Sequence, residues 1–460
     1  MEPAGLAVGT IALVSLFSTC LEALEKLDNY KNFQIDSHHL AAQFEVDKLR
    51  FEKWGLAVGT AKFLWINGPA GFGKTILCAR VIEHLSCTLK EPLAHFFFSS
   101  DFDSHGDLYV AVRSWIFQLI SHQRAFEVVY EKWGAQYGQK ATRATIVKIF
   151  REITQAIPKC TFILDGLDEC IWIGENQKYG YPNSVAEFLE TIRQAVADTT
   201  TRIMIVSRIE PQIRQGFWNY TSENFFEYNI SIEDVQPDTV AYSRSIVNRK
   251  LFKKNETTKD DISQKMADRC NGQFLWLRMQ EDSLDGWMNK KQLEDTIGGT
   301  PIGLEQLYDR TWSQISHFPD WKKGRAVSIL RWAAFALQPL TVCEIAEALL
   351  VHDDYDDLPI EEMPDSIDED YINSGILGLC GSLLEVRGTL SEPHLGLRTV
   401  HLTHFTVKEF LIIQLPIQGG SIGANRRLST SVEAVQGSIL AKTCLRYINF
   451  PRVWQLAPHV

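Results

Sequence analysis

The sequence lacks the paired cysteines of zinc-binding and redox motifs. It holds nine cysteines, and no two of them are spaced as CxxC. The ligand spacing of zinc ribbons and zinc fingers is therefore missing. Most of the cysteines lie within apolar runs, where a free thiol packs as a small hydrophobic side chain. This usage is typical of a reducing compartment, and we expect a cytoplasmic protein.

The sequence also lacks an excess of basic residues. It has 46 Lys and Arg against 57 Asp and Glu, which gives a net charge of −11. A broad basic face is the footprint of most nucleic-acid binders, so we expect no nucleic-acid partner. Apolar residues make up 45% of the chain and charged residues 22%, as in folded globular proteins. A length of 460 residues predicts several domains.

Charged residues are missing between Pro3 and Leu21. A signal peptide begins with basic residues, whereas the first charge here is Glu2. A membrane-spanning helix is flanked by basic residues, and these flanks are acidic. We interpret the segment as a buried amphipathic helix. The sequence predicts a helix at 11–28 and a second one at 38–54. Insertion of residues 5–24 into a membrane stays open as the alternative.

Apolar runs that alternate with helical patterns follow from residue 62 onward. The runs that predict strands are 62–66, 93–98, 161–165, 202–206 and 225–230, and the helical patterns are 75–85, 107–121, 144–156 and 184–198. This alternation predicts βαβ units and a parallel sheet flanked by helices. After residue 231 the strands stop, and the sequence predicts helices at 236–252, 259–287 and 303–317.

A third block, from about residue 320 to 420, has helical patterns followed by a short strand pair, which suits a winged-helix-like domain. Inside it, residues 353–370 carry ten acidic residues and no basic one. A metal site or a site for a basic partner would explain this charge. We interpret the segment instead as a solvated loop that its like charges keep extended.

A P-loop pattern, GxxxxGK[ST], lies between the first predicted strand and the first predicted helix. Its residues are Gly68, Pro69, Ala70, Gly71, Phe72, Gly73, Lys74 and Thr75, followed by Ile76. The glycines let the backbone curl around phosphates with its N–H groups inward, and the helix N-terminus adds a positive dipole end. In this pattern Lys74 reaches the β- and γ-phosphates and the Thr75 hydroxyl ligates Mg²⁺.

Two further strand ends carry groups suited to nucleotide chemistry. The run FILDGLDEC places Asp165 at the carboxyl edge of the sheet, where it would hold Mg²⁺, with Asp168 and Glu169 directly after it. Glu169 is the candidate base that activates water, and Asp168 is a second acid near the metal. The run RIMIVSR ends in Ser207 and Arg208, and Arg208 could sense the γ-phosphate or stabilise its charge.

These three motifs together resemble the NACHT class of signal-transduction NTPases, the STAND proteins, and are most similar to fungal NOD-like receptors. The segments that add to the resemblance are HFFFSS (95–100), RSWIFQLI (113–120), CNGQFLWLRM (270–279), PIGLEQLYDRTW (301–312), QPLTVCEIAEAL (338–349) and HFTVKEFL (404–411). The resemblance implies an ATP/ADP switch with slow hydrolysis rather than a metabolic enzyme. It also implies homo-oligomer formation on activation and an effector downstream.

The resemblance carries two more expectations for the site. His404 matches the winged-helix histidine that contacts the β-phosphate of ADP in the closed state of relatives. Gly272, Gln273 and Phe274 stand where plant-type relatives have G-x-P, so an apolar contact from Phe274 would replace the proline contact to adenine. The first 54 residues resemble the start of a HeLo domain, although a complete HeLo domain is much longer.

The predicted architecture is an α/β P-loop NTPase followed by a helical domain and a winged-helix-like domain. The expected domains are a short all-α HeLo-like fragment at 1–56, the NACHT core at 60–230, the helical domain at 231–318, the winged-helix-like domain at 319–420 and the start of a helical region at 421–460. Two alternatives to a signalling switch remain: a general ATPase, and a membrane-active effector driven by the N-terminal helix.

Overall fold

The computed structural model describes residues 62–98, 107–134, 141–157, 159–170, 185–217, 225–281, 283–352, 354–388, 394–415 and 429–456. The helices predicted at 11–28 and 38–54, the HeLo-like segment and the membrane hypothesis for residues 5–24 lie outside these residues. Within the described ranges, every helix is too short or too polar to cross a bilayer. The chain forms two compact units that meet in sequence between Gly299 and Thr300.

The first unit is built on a five-stranded sheet whose neighbours are all parallel. Its strands are β1 (Phe63–Asn67), β2 (Leu93–Phe97), β3 (Thr161–Asp165), β4 (Arg202–Ser207) and β5 (Phe225–Asn229). They lie in the order β2-β3-β4-β1-β5, so β4 separates the P-loop strand from the strand that ends at Asp165. The five predicted strands and the parallel sheet are confirmed.

Helices cover both faces of this sheet. Before the last strand they are α1 (Lys74–Thr88), α2 (Tyr109–Leu119), α3 (Gln123–Gly134), α4 (Arg143–Ala156), α5 (Val185–Val196) and α6 (Pro211–Gly216). Phe63 and Trp65 of β1 belong to one buried core, while Leu64 and Ile66 belong to another on the opposite face. Because successive strand residues point to opposite faces, this division places apolar cores on both sides.

A group of helices completes the first unit. They are α7 (Ile232–Lys250), α8 (Glu256–Arg269), α9 (Phe274–Glu281) and α10 (Lys290–Gly299). The single helix predicted over 259–287 is wrong, because the chain breaks between α8 and α9. Asn271 and Gly272 have φ values of 50° and 80° there. A left-handed backbone at these two residues ends α8 and starts a new helix in another direction.

The second unit contains the predicted strand pair. Its elements are α11 (Leu304–Ser316), α12 (Asp320–Phe335), α13 (Val342–Ala348), β6 (Leu384–Arg387), β7 (Thr399–Leu402), α14 (Phe405–Gln414), α15 (Ser429–Asn449) and α16 (Pro451–Leu456). β6 and β7 are antiparallel. A capping box between Thr341 and Glu344 begins α13, which satisfies two backbone donors at that helix end.

The acidic segment lies in this second unit, and its carboxylates meet arginines of the same unit. Arg452 contacts Glu361 at 3.1 Å and Asp357 at 3.6 Å, and Arg398 contacts Glu369 at 2.8 Å. In the part of the chain that the structure describes, no cluster of three or more His, Cys, Asp or Glu side chains could hold a metal ion. The described part of the segment includes a short 3₁₀ helix, Ile360–Glu362, and several of its carboxylates have arginine partners in the same unit.

Candidate functional site

The P-loop follows β1, whose five residues are all buried. Gly71 and Gly73 have φ values of 76° and 74°, and Gly73 immediately precedes α1. Residues with side chains avoid this left-handed region, so glycine is needed at both positions. The turn can therefore present backbone N–H groups and the N-terminus of α1 to an anion. A Cβ on Gly68 would also lie only 3.1 Å from the Cβ of Ile230.

Lys74 is the first residue of α1, and its ammonium group bends back over the loop. Its Nζ donates hydrogen bonds to the carbonyl oxygens of Gly68 at 3.0 Å and Pro69 at 2.7 Å. Burial lowers the pKa of Lys74, while the nearby Asp168, Asp165 and Glu169 oppose that decrease. The lysine and the predicted acids therefore lie within electrostatic reach of one another.

Asp165 ends β3, is 4% exposed and is hydrogen-bonded to the Thr75 side chain. Burial raises the pKa of Asp165 to about 7, and the bond to Thr75 and the charge of Lys74 oppose the rise. A carboxylate and a hydroxyl are oxygen ligands of the kind that Mg²⁺ prefers. Burial makes the Asp165 carboxyl group costly to ionise by itself, and a bound cation would lower that cost. These two residues, ninety positions apart, thus suit Mg²⁺.

A tight turn after β3 places the next two acids. Gly166 has a φ of 75°, and a Cβ there would lie 2.8 Å from the carbonyl oxygen of Phe98. Its N–H donates to the Val206 carbonyl at 3.1 Å, which ties the turn to β4. A short 3₁₀ helix, Leu167–Cys170, follows and carries Asp168 and the partly exposed Glu169. The close approach explains why the DGLDE motif needs glycine at its second position.

Asp168 and Arg208 form an ion pair beside the loop. Arg208 Nε donates to Asp168 Oδ2 at 2.7 Å, and the side chains are 19% and 7% exposed. The pair joins the segment after β3 to the segment after β4, as parallel neighbours allow. Arg208 also acts on the Lys74 ammonium, whose pKa it lowers by repulsion. The structure therefore brings together Lys74, Asp165, Asp168 and Arg208.

Ser207 is engaged away from this cluster. Its hydroxyl accepts a buried hydrogen bond of 2.8 Å from the Trp65 indole and donates one of 2.9 Å to the Arg208 carbonyl. The hydroxyl thus satisfies the tryptophan N–H, which would otherwise be buried at a cost. At the end of β4, Arg208 is therefore the residue that we expect to contact the γ-phosphate.

The Gly272–Phe274 segment contacts the P-loop directly, which the sequence did not predict. The Phe274 N–H donates to the Gly71 carbonyl at 2.8 Å. A Cβ on Gly73 would lie 3.3 Å from the Phe274 ring. The family resemblance predicts only an apolar contact from Phe274 to the base. The Asn271-Gly272 pair, which is typical of a left-handed turn, was the signal that could have located this segment.

The other predicted nucleotide-binding residues divide between the two units. Phe72 is 6% exposed and packs in the core around α1, whereas Pro69 is exposed and Ala70 and Ile76 are partly buried. His404 precedes α14 in the second unit. Its Nδ1 accepts a hydrogen bond of 3.2 Å from the Thr406 N–H. In a neutral imidazole the proton is then on Nε2.

Two family models match this chain. Residues 44–208 match the family described as "Nephrocystin 3, N-terminal". Residues 318–418 match the family described as "GPI inositol-deacylase, winged helix domain". The first match contains the P-loop, the Asp165 turn and Arg208, and the second contains β6, β7 and His404.

The chain is also similar to a curated fungal protein. It is 26% identical over 383 residues to vegetative incompatibility protein HET-E-1 of Podospora anserina. The similarity covers 80% of this chain but only 25% of that protein, so the chain spans about a quarter of its relative's length.

The solved structures with some likeness to this chain include a Walker-type ATPase of Pyrococcus abyssi. It is 12% identical, with a TM-score of 0.35, and the likeness covers 78% of this chain and 93% of that one. A structure of Drosophila ORC bound to DNA is 10% identical, with a TM-score of 0.34. That likeness covers 84% of this chain and 99% of the ORC chain. Two separate segments of this chain, one with the P-loop and one with β6 and β7, are therefore similar to known domain families, the second of them a winged-helix domain.

Proposed function

We propose that this chain binds ATP and ADP with Mg²⁺ and uses the exchange between them as a signalling switch. One observation carries the proposal: the Thr75 side chain of the P-loop is hydrogen-bonded to the buried carboxyl group of Asp165, next to Lys74. A glycine turn, a lysine, a hydroxyl and an acid in this arrangement suit a polyphosphate and its metal ion.

Each group has a distinct role in this proposal. The N–H groups of the loop and the N-terminus of α1 hold the phosphates, and Lys74 neutralises their charge. Thr75 and Asp165 hold Mg²⁺. When bound, Mg²⁺ neutralises the phosphate charge that develops during transfer. Asp168 keeps Arg208 in place, and Arg208 lies close enough to the Lys74 ammonium to sense a bound phosphate.

Slow hydrolysis is the reaction that these residues support. Glu169 lies one residue beyond Asp168 in the same 3₁₀ helix. Its carboxylate would accept a proton from the water that attacks the terminal phosphate. The Arg208 guanidinium, held in place by Asp168, would direct its positive charge toward that phosphate. The products are ADP and inorganic phosphate, and retained ADP defines the resting state of the switch.

The signalling role is supported by the similarity to a vegetative incompatibility protein. We infer that ADP favours a closed state, and that ATP releases the winged-helix domain and permits homo-oligomers to form, which engage an effector downstream. His404 is proposed to stabilise the closed state. Its Nε2–H can donate to the β-phosphate, because Nδ1 is already occupied as an acceptor.

The test is the nucleotide that the purified protein retains. Protein purified without added nucleotide is denatured with acid, and the released nucleotide is identified and quantified by chromatography. We expect nearly stoichiometric ADP from the unmodified protein and almost none from Lys74→Ala. Lys148→Ala is the matched control, because Lys148 is an exposed lysine on α4, away from the loop.

Rates of hydrolysis separate the switch from a general ATPase. We expect a slow turnover that retained ADP limits. Rapid multiple turnover, at the rates of metabolic enzymes, would favour the general ATPase. Nucleotide retention that survives Lys74→Ala would contradict both functions.

A further inference from the structure

Three contacts join the turn at residues 271–274 to the P-loop. The Phe274 N–H donates to the Gly71 carbonyl at 2.8 Å, and the Phe274 ring lies against Gly73. In the opposite direction, the Phe72 ring lies against Gly272, where a Cβ would be only 2.9 Å from the phenylalanine Cζ. Each segment thus places a phenylalanine on a glycine of the other, and both glycines have left-handed backbones.

The hydrogen bond to Gly71 fixes the orientation of one peptide group in the loop. In a planar trans peptide, the C=O and the following N–H point in opposite directions. The carbonyl of Gly71 is directed toward α9, so the N–H of Phe72 is directed away from it. The carbonyls of Gly68 and Pro69 are similarly held, by Lys74. Carbonyl oxygens repel phosphate. The hydrogen bonds direct the carbonyl oxygens of Gly68, Pro69 and Gly71 toward donors within the protein.

We propose that the 271–274 turn is a positioning element for the phosphate-binding loop, and that Phe274 acts on the polyphosphate chain through the loop backbone. The inference deepens the proposed function and rests on it. It assigns Phe274 an effect on any ligand that carries a polyphosphate, with or without a base. In this proposal, α9 also connects the helices after β5 to the P-loop, so a change in those helices would alter the affinity for phosphate.

Three substitutions at one position separate the ring from the amide. Phe274→Ala removes the ring and keeps the N–H, whereas Phe274→Pro removes both. Proline is compatible with the helix itself, because Phe274 is the first residue of α9 and its N–H bonds to Gly71 rather than within the helix, so the bond that proline removes is the one to the loop. Phe274→Leu keeps both bulk and N–H and is the conservative control. A thermal melt verifies that each variant is folded.

The probes are inorganic tripolyphosphate and ATP, each with Mg²⁺, measured by calorimetric titration. We expect Phe274→Ala to weaken both ligands by the same factor. Phe274→Pro should weaken both by roughly three- to tenfold more, the contribution of one backbone hydrogen bond. Phe274→Leu should bind like the unmodified protein. A loss confined to ATP would instead mean contact with the base and would overturn the inference. So would equal binding by the Ala, Pro and unmodified forms.

A second measurement needs no substitution. Coupling between two sites is reciprocal, so a ligand that needs the loop in this conformation must also protect the Phe274 N–H. We expect slower hydrogen exchange at Phe274 when tripolyphosphate saturates the unmodified protein, and an unchanged rate would overturn the inference. Failure of the unmodified protein to bind either probe would refute the proposed function itself. Binding with no effect of position 274 would refute only the inference.

Discussion

Two neighbouring residues of the site, Lys74 and Asp165, have shifted pKa values because their side chains are largely shielded from water. Burial lowers the pKa of Lys74 and raises that of Asp165 to about 7, so each moves toward its neutral form. Their mutual attraction and the Thr75 hydrogen bond offset part of that cost. A ligand with phosphates and a divalent cation would supply the missing partners.

The raised pKa of Asp165 predicts a pH-dependent effect of Asp165→Asn in protein free of nucleotide and kept in EDTA. Because the folded-state pKa lies above the ordinary value of 3.8, the folded state holds a proton that the unfolded state loses. Asp165 therefore costs stability as pH rises from about 4 to about 7. We expect the substitution to stabilise this form by on the order of 2–4 kcal/mol at pH 8.

Thermal melts between pH 5 and pH 8 measure this effect. The gain in melting temperature should grow up to about pH 7 and then level off. A gain that is constant over the range, or that falls as pH rises, would contradict the assigned burial of the carboxyl group.

Gly166 predicts a second effect at the site. Alanine there must adopt a positive φ and approach the Phe98 carbonyl, so Gly166→Ala should destabilise the protein by about 2 kcal/mol or more. Gly298→Ala is the control, because Gly298 is helical and exposed and a Cβ there meets nothing within 4 Å. That change should be neutral or stabilise by about 0.5–1 kcal/mol. Urea unfolding measures both, and similar losses would contradict the account of the turn.

The helices and strands differ in how far sequence could predict them. The five strands of the sheet are short segments rich in apolar residues, and this pattern was sufficient to predict each of them. Their order was not predictable, because pairing partners leave no periodic mark on a strand buried on both faces. Helix α3 was not predicted. Among its residues whose burial the structure describes, Ala125 alone is fully buried, and Val128 and Val129 pack on the core while partly exposed.

The C-terminal helices α15 and α16 are held by an apolar cluster around Phe450, which lies between them, and by exposed ion pairs. Phe450 is 3% exposed and packs with Leu350 and Leu358, while the Arg452 side chain is 45% exposed at its ion pairs. Exposed ion pairs contribute little, and buried rings contribute much. We therefore expect a loss of about 3–4 kcal/mol from Phe450→Ala but under about 1 kcal/mol from Arg452→Ala.

Hydrogen exchange over residues 429–456 checks this ranking. Faster exchange in Phe450→Ala, with little change in Arg452→Ala, is the expected pattern. If Arg452→Ala had the larger effect, and high salt reproduced it, the acidic segment would be the main anchor of these helices.

For the chain as a whole, the switch predicts that nucleotide controls assembly. We expect monomers with ADP and larger species with a non-hydrolysable ATP analogue, measured by size-exclusion chromatography with light scattering. His404→Ala should release ADP faster and assemble at lower ATP concentration, because the closed state loses a phosphate contact. Tyr130→Ala, at an exposed position on α3, is the control. An unchanged ADP release rate in His404→Ala would remove the histidine from the mechanism.

The candidate site was predictable where a motif fixes both residue type and position. The loop glycines, Lys74, Thr75 and Asp165 follow from local patterns and the strand ends next to them. The contact from Phe274 was not predictable, because it joins segments about two hundred positions apart through a backbone N–H that every residue but proline has. The hydrogen bond from Trp65 to Ser207 was not predictable either, because it depends on the pairing of β1 with β4.

The most direct test of the central claim is a calorimetric titration of nucleotide-stripped protein with ADP and Mg²⁺. The account predicts one site per chain. The affinity for ADP should fall at least a hundredfold in Lys74→Ala, because the variant loses a charge-assisted contact worth about 3 kcal/mol. It should stay unchanged in Lys148→Ala. Equal affinity in all three proteins, or no binding by the unmodified chain, would contradict it.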